Sequence, residues 1–125
     1  MQNQNLKSKT KLKDRTDQYS IRAIEFLDTL PKDASSQVIT KQLLRSATSI
    51  GANVVEAQAS SSKRDFTNFF SYSLKSANES LYWLGLLKDT KKINNPELEY
   101  LLNETRELAN ILGSSVITLK GKNKF

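Results

Sequence analysis

Two neighbouring segments of this chain repeat one spacing of apolar residues. Intervals of four, four, three, four and three separate the apolar positions of the first segment, which are Ile39, Leu43, Ala47, Ile50, Val54 and Ala57. The same intervals recur in the second, at Phe66, Phe70, Leu74, Ala77, Leu81 and Leu84. Such spacing places side chains on one face of an α-helix. We therefore predict one long helix from about Ser36 to Ala59 and another from the serines at 60–62 to about Thr90.

A further helix is predicted before this pair. Its apolar stripe consists of Tyr19, Ala23, Phe26 and Leu30, widened by Ile24 and Leu27. We expect this helix to begin between Leu12 and Asp17. It should end before Pro31, because a proline pushes the preceding residue out of the helical region.

A fourth helix is predicted after residue 94. Asn95 is a suitable N-cap and Pro96 suits the first helical position, and leucines then continue at helical spacing to Leu119. Ser62, three residues before Asp65, forms a similar capping pair for the third helix. Four helices with short connectors predict an all-α, up-down-up-down four-helix bundle over residues 12–120.

The basic residues are concentrated at the two ends of the chain. The net charge of the chain is +6, whereas residues 16–119 hold 11 basic and 12 acidic side chains. We expect residues 1–11 to be a disordered basic tail and residues 121–125 a second basic tail. Basic tails either bind phosphates or simply keep a protein in solution. The nucleic-acid candidates are Lys7, Lys9, Lys11, Lys13, Arg15, Lys120, Lys122 and Lys124.

The composition excludes several kinds of site. The chain has no cysteine and no histidine, so it has no disulfide, no Cys/His zinc site and no catalytic pair that needs either residue. It has no apolar run long enough to span a membrane and no signal-peptide pattern. We expect a cytoplasmic protein that is not an enzyme and has no metal, cofactor or small-molecule substrate.

Polar residues follow one side of the second helix. Gln42, Ser49, Asn53, Glu56 and Ser60 form this strip, with Arg45 at its edge. If the second and third helices fold back at residues 61–62, Arg45 lies level with Glu79, and we predict that the two side chains contact each other. The strip is either a polar site or, as the alternative favoured here, a solvated or register-fixing surface.

The third helix carries a second apolar stripe on a different side. Phe69, Tyr72, Ser76, Trp83 and Leu87 compose it. A helix that is apolar on two sides must be covered on two sides. Phe69, Tyr72, Trp83 and Leu87 are therefore candidates for an interface between copies of the chain. Stacking on nucleic-acid bases is the alternative function for these aromatic rings.

Gly51 lies in the interior of the second predicted helix. Glycine costs about 1 kcal/mol relative to alanine inside a helix. Two interpretations remain open for this residue: the backbone is closely approached or slightly bent there, or the glycine is merely tolerated.

The run LLRSATSIGANVVEAQ (43–58), then Asp65-Phe66 and SANESLYWLGLL (76–87), resembles the proteins encoded in intervening sequences of bacterial 23S rRNA. The accessory variability protein of diversity-generating retroelements is similar to that family. The motif residues are Arg45, Asn53, Glu56, Ser76 and Glu79. The resemblance implies a left-handed four-helix bundle without enzymatic activity that assembles into a ring, usually of five copies.

Two functions are consistent with this resemblance. The first is a self-assembling scaffold or accessory factor of the intervening-sequence type. The second is an accessory protein that binds RNA or DNA through its basic tails, with a reverse transcriptase or RNA-processing protein as partner.

Overall fold

The computed structural model describes the backbone of residues 4–121 and the side chains of residues 11–121. This range holds four α-helices, which are α1 (Gln4–Leu27), α2 (Ala34–Ala59), α3 (Lys63–Asp89) and α4 (Pro96–Gly121). Each helix packs against its two neighbours around the bundle, and α1 and α4 close the circle. α1 therefore lies diagonally across from α3. The predicted all-α four-helix bundle is confirmed.

Side-chain contacts show that neighbouring helices run antiparallel. From Ser46 to Ile50 along α2, the contacting residues on α3 descend from Ser80 to Ser73. Short connectors enforce this order, because a helix that follows so closely has room only to fold back along its predecessor.

Two arginines join α1 to α4, again in antiparallel order. Arg15 holds Glu104 with two hydrogen bonds of 3.0 and 2.8 Å. Arg22 holds Glu97 in the same bidentate way, at 2.9 and 2.8 Å. The Arg22 guanidinium also lies 3.4 Å from the ring centroid of Tyr100. Paired forks of this kind are geometrically selective, so they favour one register of α1 on α4.

The helix starts follow the local sequence closely. The Ser62 hydroxyl accepts a 3.1 Å hydrogen bond from the backbone N–H of Asp65, and the Asn95 side chain accepts one of 3.0 Å from Leu98. Both predicted caps are confirmed. α2 is capped by Asp33, whose carboxylate also pairs with Lys92 at 2.8 Å and so ties together the two connectors at that end of the bundle.

The predicted start of the first helix is wrong. α1 begins at Gln4 rather than between Leu12 and Asp17, so residues 4–11 of the expected tail have helical backbone. This segment has one apolar residue and therefore no stripe to detect, but its lysines and glutamine favour helix intrinsically. Residues 1–3 and 122–125 lie outside the described residues, and the disorder expected of the tails stays a prediction.

The core of α3 differs in part from the predicted stripe. Phe70, Ala77 and Leu84 are buried as expected, whereas the predicted core residues Phe66, Leu74 and Leu81 are only half-buried. Three residues outside that stripe are fully buried, namely Ser73, Ser80 and Leu87. A pattern of apolar residues leaves out Ser73 and Ser80 because serine is polar. The predicted apolar stripe of α3 therefore lies to one side of the face that is buried.

Gly51 lies where α1 and α2 approach each other closely. A Cβ atom added to Gly51 would stand 3.2 Å from Cβ and 3.3 Å from Oγ1 of Thr16, which is tighter than ordinary van der Waals contact. Thr16 is itself fully buried. Of the two interpretations of this glycine, the structure therefore supports the close approach.

Hydroxyl groups from all four helices are buried in the bundle. Ser46 of α2 and Ser80 of α3 are hydrogen-bonded at 2.9 Å, and the Tyr19 hydroxyl of α1 lies 2.6 Å from Thr105 Oγ1 of α4. Thr105 donates its own proton to the carbonyl of Leu101, so it accepts from Tyr19. Each of these hydroxyls has a partner, as buried polar groups require.

Tyr19 gives the fold a measurable dependence on alkaline pH. Burial raises the pKa of Tyr19 to about 12, against an ordinary value of 10.0. Because the folded state holds this proton more tightly, its stabilising contribution is complete below pH 10 and is lost as the pH rises towards 12. We expect denaturant titrations to show that wild type loses about 2 kcal/mol more between pH 10 and 12 than Tyr19→Phe does. Parallel losses in the two proteins would contradict this.

Candidate interaction surface

The predicted contact between Arg45 and Glu79 is present in the structure. The Arg45 guanidinium donates to the Glu79 carboxylate across the outer edge of α2 and α3, and it also donates to the Gln42 side chain at 2.9 Å. Both residues of the ion pair are partly exposed. The antiparallel hairpin thus brings together two residues that are 34 positions apart.

Glu79 also organises the neighbouring indole ring. The Trp83 ring N–H donates to Glu79 at 2.9 Å, one helical turn along α3. Hydrogen bonding from Trp83, followed by that from Arg45, lowers the pKa of the Glu79 carboxyl group. One carboxylate therefore holds an arginine and a tryptophan in place on the same edge. Arginine and tryptophan are enriched among the residues that dominate binding at protein interfaces.

Two of the remaining polar motif residues take part in hydrogen bonds within their own helix. The Asn53 side chain donates to the backbone carbonyl of Ser49 at 2.9 Å, and the carbonyl of Ser76 accepts from Ser80. Glu56 is exposed. Within the described residues, no group of three or more metal-ligating side chains comes together.

Aromatic rings continue this edge along the outside of α3. Tyr72 is 48% exposed and Tyr82 is 60% exposed, while Phe69 and Trp83 are half-buried beside them. Phe69 and Tyr72 meet edge to face at 6.0 Å, and Tyr82 and Trp83 do so at 5.0 Å between centroids. Because the rings already restrict each other's motion, a partner that covers their apolar surface causes little further loss of side-chain conformational entropy. We call Phe69, Tyr72, Tyr82 and Trp83 the aromatic edge.

One predicted interface residue is wrong and one exposed ring was missed. Leu87 is fully buried in the core and offers no surface to another copy. Tyr82 is the more exposed of the two edge tyrosines, and the predicted second stripe of the third helix does not include it. It lies ten residues after Tyr72, about 2.8 turns of helix, so its side chain points about 80° away from that of Tyr72, and a stripe through Tyr72 and Trp83 does not include it.

Some of the side chains predicted to bind nucleic acid form ion pairs within the bundle. Arg15 is held by Glu104 and, at 3.1 Å, by Glu107, which counts against a role in binding phosphates. Lys13 pairs with Asp17 at 2.8 Å. Lys11 and Lys120 are exposed. The side chains of Lys7, Lys9, Lys122 and Lys124 lie outside the described residues, so their binding of nucleic acid stays a prediction.

Within the described residues, no helix combines the length and apolarity needed to cross a bilayer.

The fold and its surface together define an all-α bundle protein with a candidate protein-interaction site along the α2–α3 edge. The model of the 23S rRNA-intervening sequence protein family matches residues 8–114. The chain belongs to this family.

A solved structure supports the assignment. The chain is similar to a protein of unknown function from the S23 ribosomal protein family of Bacteroides thetaiotaomicron VPI-5482, whose crystal structure is known at 1.70 Å resolution. The two share 36% sequence identity and superpose with a TM-score of 0.79, over 86% of this chain and 96% of that one. A search of curated proteins found no match. Neither of the two descriptions names an enzymatic activity.

Proposed function

We propose that the protein is a non-enzymatic bundle that assembles with copies of itself through the aromatic edge and acts as a scaffold or accessory factor in the context of ribosomal RNA. The observation that supports self-assembly is the exposure of Tyr72 and Tyr82 on a helix whose opposite face is already buried in the core. The ring of five copies implied by the family resemblance is the expected particle.

The composition of the edge suits a protein partner. Tyrosine, tryptophan and arginine are enriched in interface cores, while lysine and glutamate are depleted. Glu79, the glutamate beside the aromatic edge, already forms an ion pair with Arg45 and accepts a hydrogen bond from Trp83. A partner that covers Glu79 would therefore not desolvate an unpaired carboxylate.

Light scattering on the purified chain tests this proposal. We expect wild type to form a particle of about five copies of the 14.1 kDa chain, and the double variant Tyr72→Gln with Tyr82→Gln to be a monomer. Both tyrosines are exposed, so the variant should keep the helical circular dichroism of wild type.

The matched control for this experiment is Ile117→Gln. Ile117 is 74% exposed on α4, away from the aromatic edge. It should leave the particle mass unchanged. A wild type that stays monomeric at every concentration measured would refute self-assembly, and loss of assembly in the Ile117 variant as well would show that general surface apolarity, not the edge, is responsible.

A further inference from the structure

The outer face of α1 is a second exposed surface with apolar residues at its centre. Intervals of four, three, four and three separate exposed residues on this side, which are Asp14, Gln18, Ile21, Glu25 and, one residue past the end of α1, Asp28; the exposed Lys11 precedes them. Ile21 is 48% exposed, and Ile24 beside it is 41% exposed. We call this set, with Ile24, the acidic-aliphatic face.

The outer face of α3 carries two basic side chains among exposed tyrosines. Arg64, Asn68, Tyr72, Lys75 and Tyr82 are all exposed and recur at helical spacing. Along the middle of α3 the two tyrosines lie beside Lys75, and the carboxylate there, Glu79, is paired with Arg45; the exposed Asp65 and Asp89 lie at the two ends of the helix. We call these five residues the basic-aromatic face.

The charges of both faces are available to a partner. Within the described residues, the carboxylates of Asp14, Glu25 and Asp28 form no ion pair, and neither do Arg64 and Lys75. Opposite charges on two apolar surfaces favour contact between those surfaces and disfavour contact of either surface with itself.

We propose that the acidic-aliphatic face of one copy docks on the basic-aromatic face of the next, in a head-to-tail contact. This inference rests on the proposed self-assembly and names the surface that receives the aromatic edge. α1 and α3 are diagonal in the bundle, so one copy engages two neighbours at once. A symmetric pairing of α3 with α3 would instead bring Lys75 and Arg64 towards their own copies and leave Ile21 and Ile24 uncovered.

Complementation between two variants tests this geometry. The first variant, Tyr72→Gln with Tyr82→Gln, removes the apolar centre of one face; the second, Ile21→Gln with Ile24→Gln, removes that of the other. All four positions are exposed, and glutamine is a good helix former, so both variants should fold. Circular dichroism checks that they do.

A head-to-tail contact makes a specific prediction for these proteins. Each variant alone has one damaged face in every contact and should be a monomer. An equimolar mixture has one contact with two intact faces, so it should form a particle of two chains, one of each variant, and grow no further. Mass measurement on the mixture, with one variant carrying a mass tag, reads this directly.

Two results would overturn the inference while leaving self-assembly through the aromatic edge intact. They are a mixture that stays monomeric and an Ile21/Ile24 variant that assembles like wild type. A tyrosine variant that assembles like wild type would overturn both the role of the aromatic edge and this inference. Monomeric wild type would remove the proposed function itself and this inference with it. The Ile117→Gln variant serves as control here too, and its mixture with either damaged variant should give the same particle masses as a mixture of wild type with that variant.

Discussion

Replacing Leu84 by alanine is expected to lower the free energy of unfolding by about 3 to 4 kcal/mol. Leu84 is fully buried on the core face of α3, so the shortened side chain leaves a cavity in addition to losing its own transfer free energy. Since small domains are stabilised by only about 5–15 kcal/mol, this is a large fraction of the total. Denaturant unfolding followed by circular dichroism measures the loss.

The matched control for this change is Leu44→Ala on α2. Leu44 lies next to the core residue Leu43 but is 40% exposed. The same substitution there removes much less buried apolar surface, and it should cost less than about 1 kcal/mol. Both measurements belong at one protein concentration, because assembly adds to apparent stability. Equal losses at the two leucines would contradict the assignment of the core.

Replacing Gly51 by leucine is expected to cost about 2 to 3 kcal/mol and to loosen α1 from α2. An added Cβ already meets Thr16 at 3.2 Å, and leucine places three more carbons in the same space. Overpacking of this kind typically costs 1–3 kcal/mol or more, and the better helix propensity of leucine offsets less than about 1 kcal/mol of it. Denaturant unfolding gives the loss, and amide hydrogen exchange in α1 locates it.

Gly85 on α3 provides the control for Gly51. No heavy atom of another element lies within 4 Å of a Cβ added to Gly85. Leucine there should therefore be neutral or stabilise by up to about 1 kcal/mol through helix propensity. A Gly51→Leu variant as stable as the Gly85→Leu variant would show that the close approach of α1 and α2 relaxes without cost.

The helices and the long-range Arg45–Glu79 contact could be predicted because both follow from local information. Spacing of apolar residues by three and four is a property of one segment, and the caps at Ser62 and Asn95 lie within three residues of the groups they bind. The short serine corner then forces α3 back along α2, so counting residues from the corner is enough to place Arg45 beside Glu79.

The exact core face of α3 could not be predicted in the same way. A helix with apolar residues on several sides can turn about its own axis, and its neighbours decide which side faces inwards. Leu87 is thereby buried and Tyr82 exposed, although leucine and tyrosine both suit either place. The inward serines depend on the same choice, because it places Ser80 against Ser46 of α2, to which it is hydrogen-bonded in addition to the carbonyl of Ser76.

The amino-acid sequence determined that this chain forms four helices, where most of them begin and end, and in which order they pack, since these features depend on spacing, capping and connector length. Tertiary structure alone decided the rotation of each helix, the four-helix set of buried hydroxyls around Tyr19 and Ser80, and the separation of the exposed residues into an acidic-aliphatic face on α1 and a basic-aromatic face on α3. The physical reason is that burial is a property of neighbours, and the neighbours of a residue in a bundle come from distant parts of the chain.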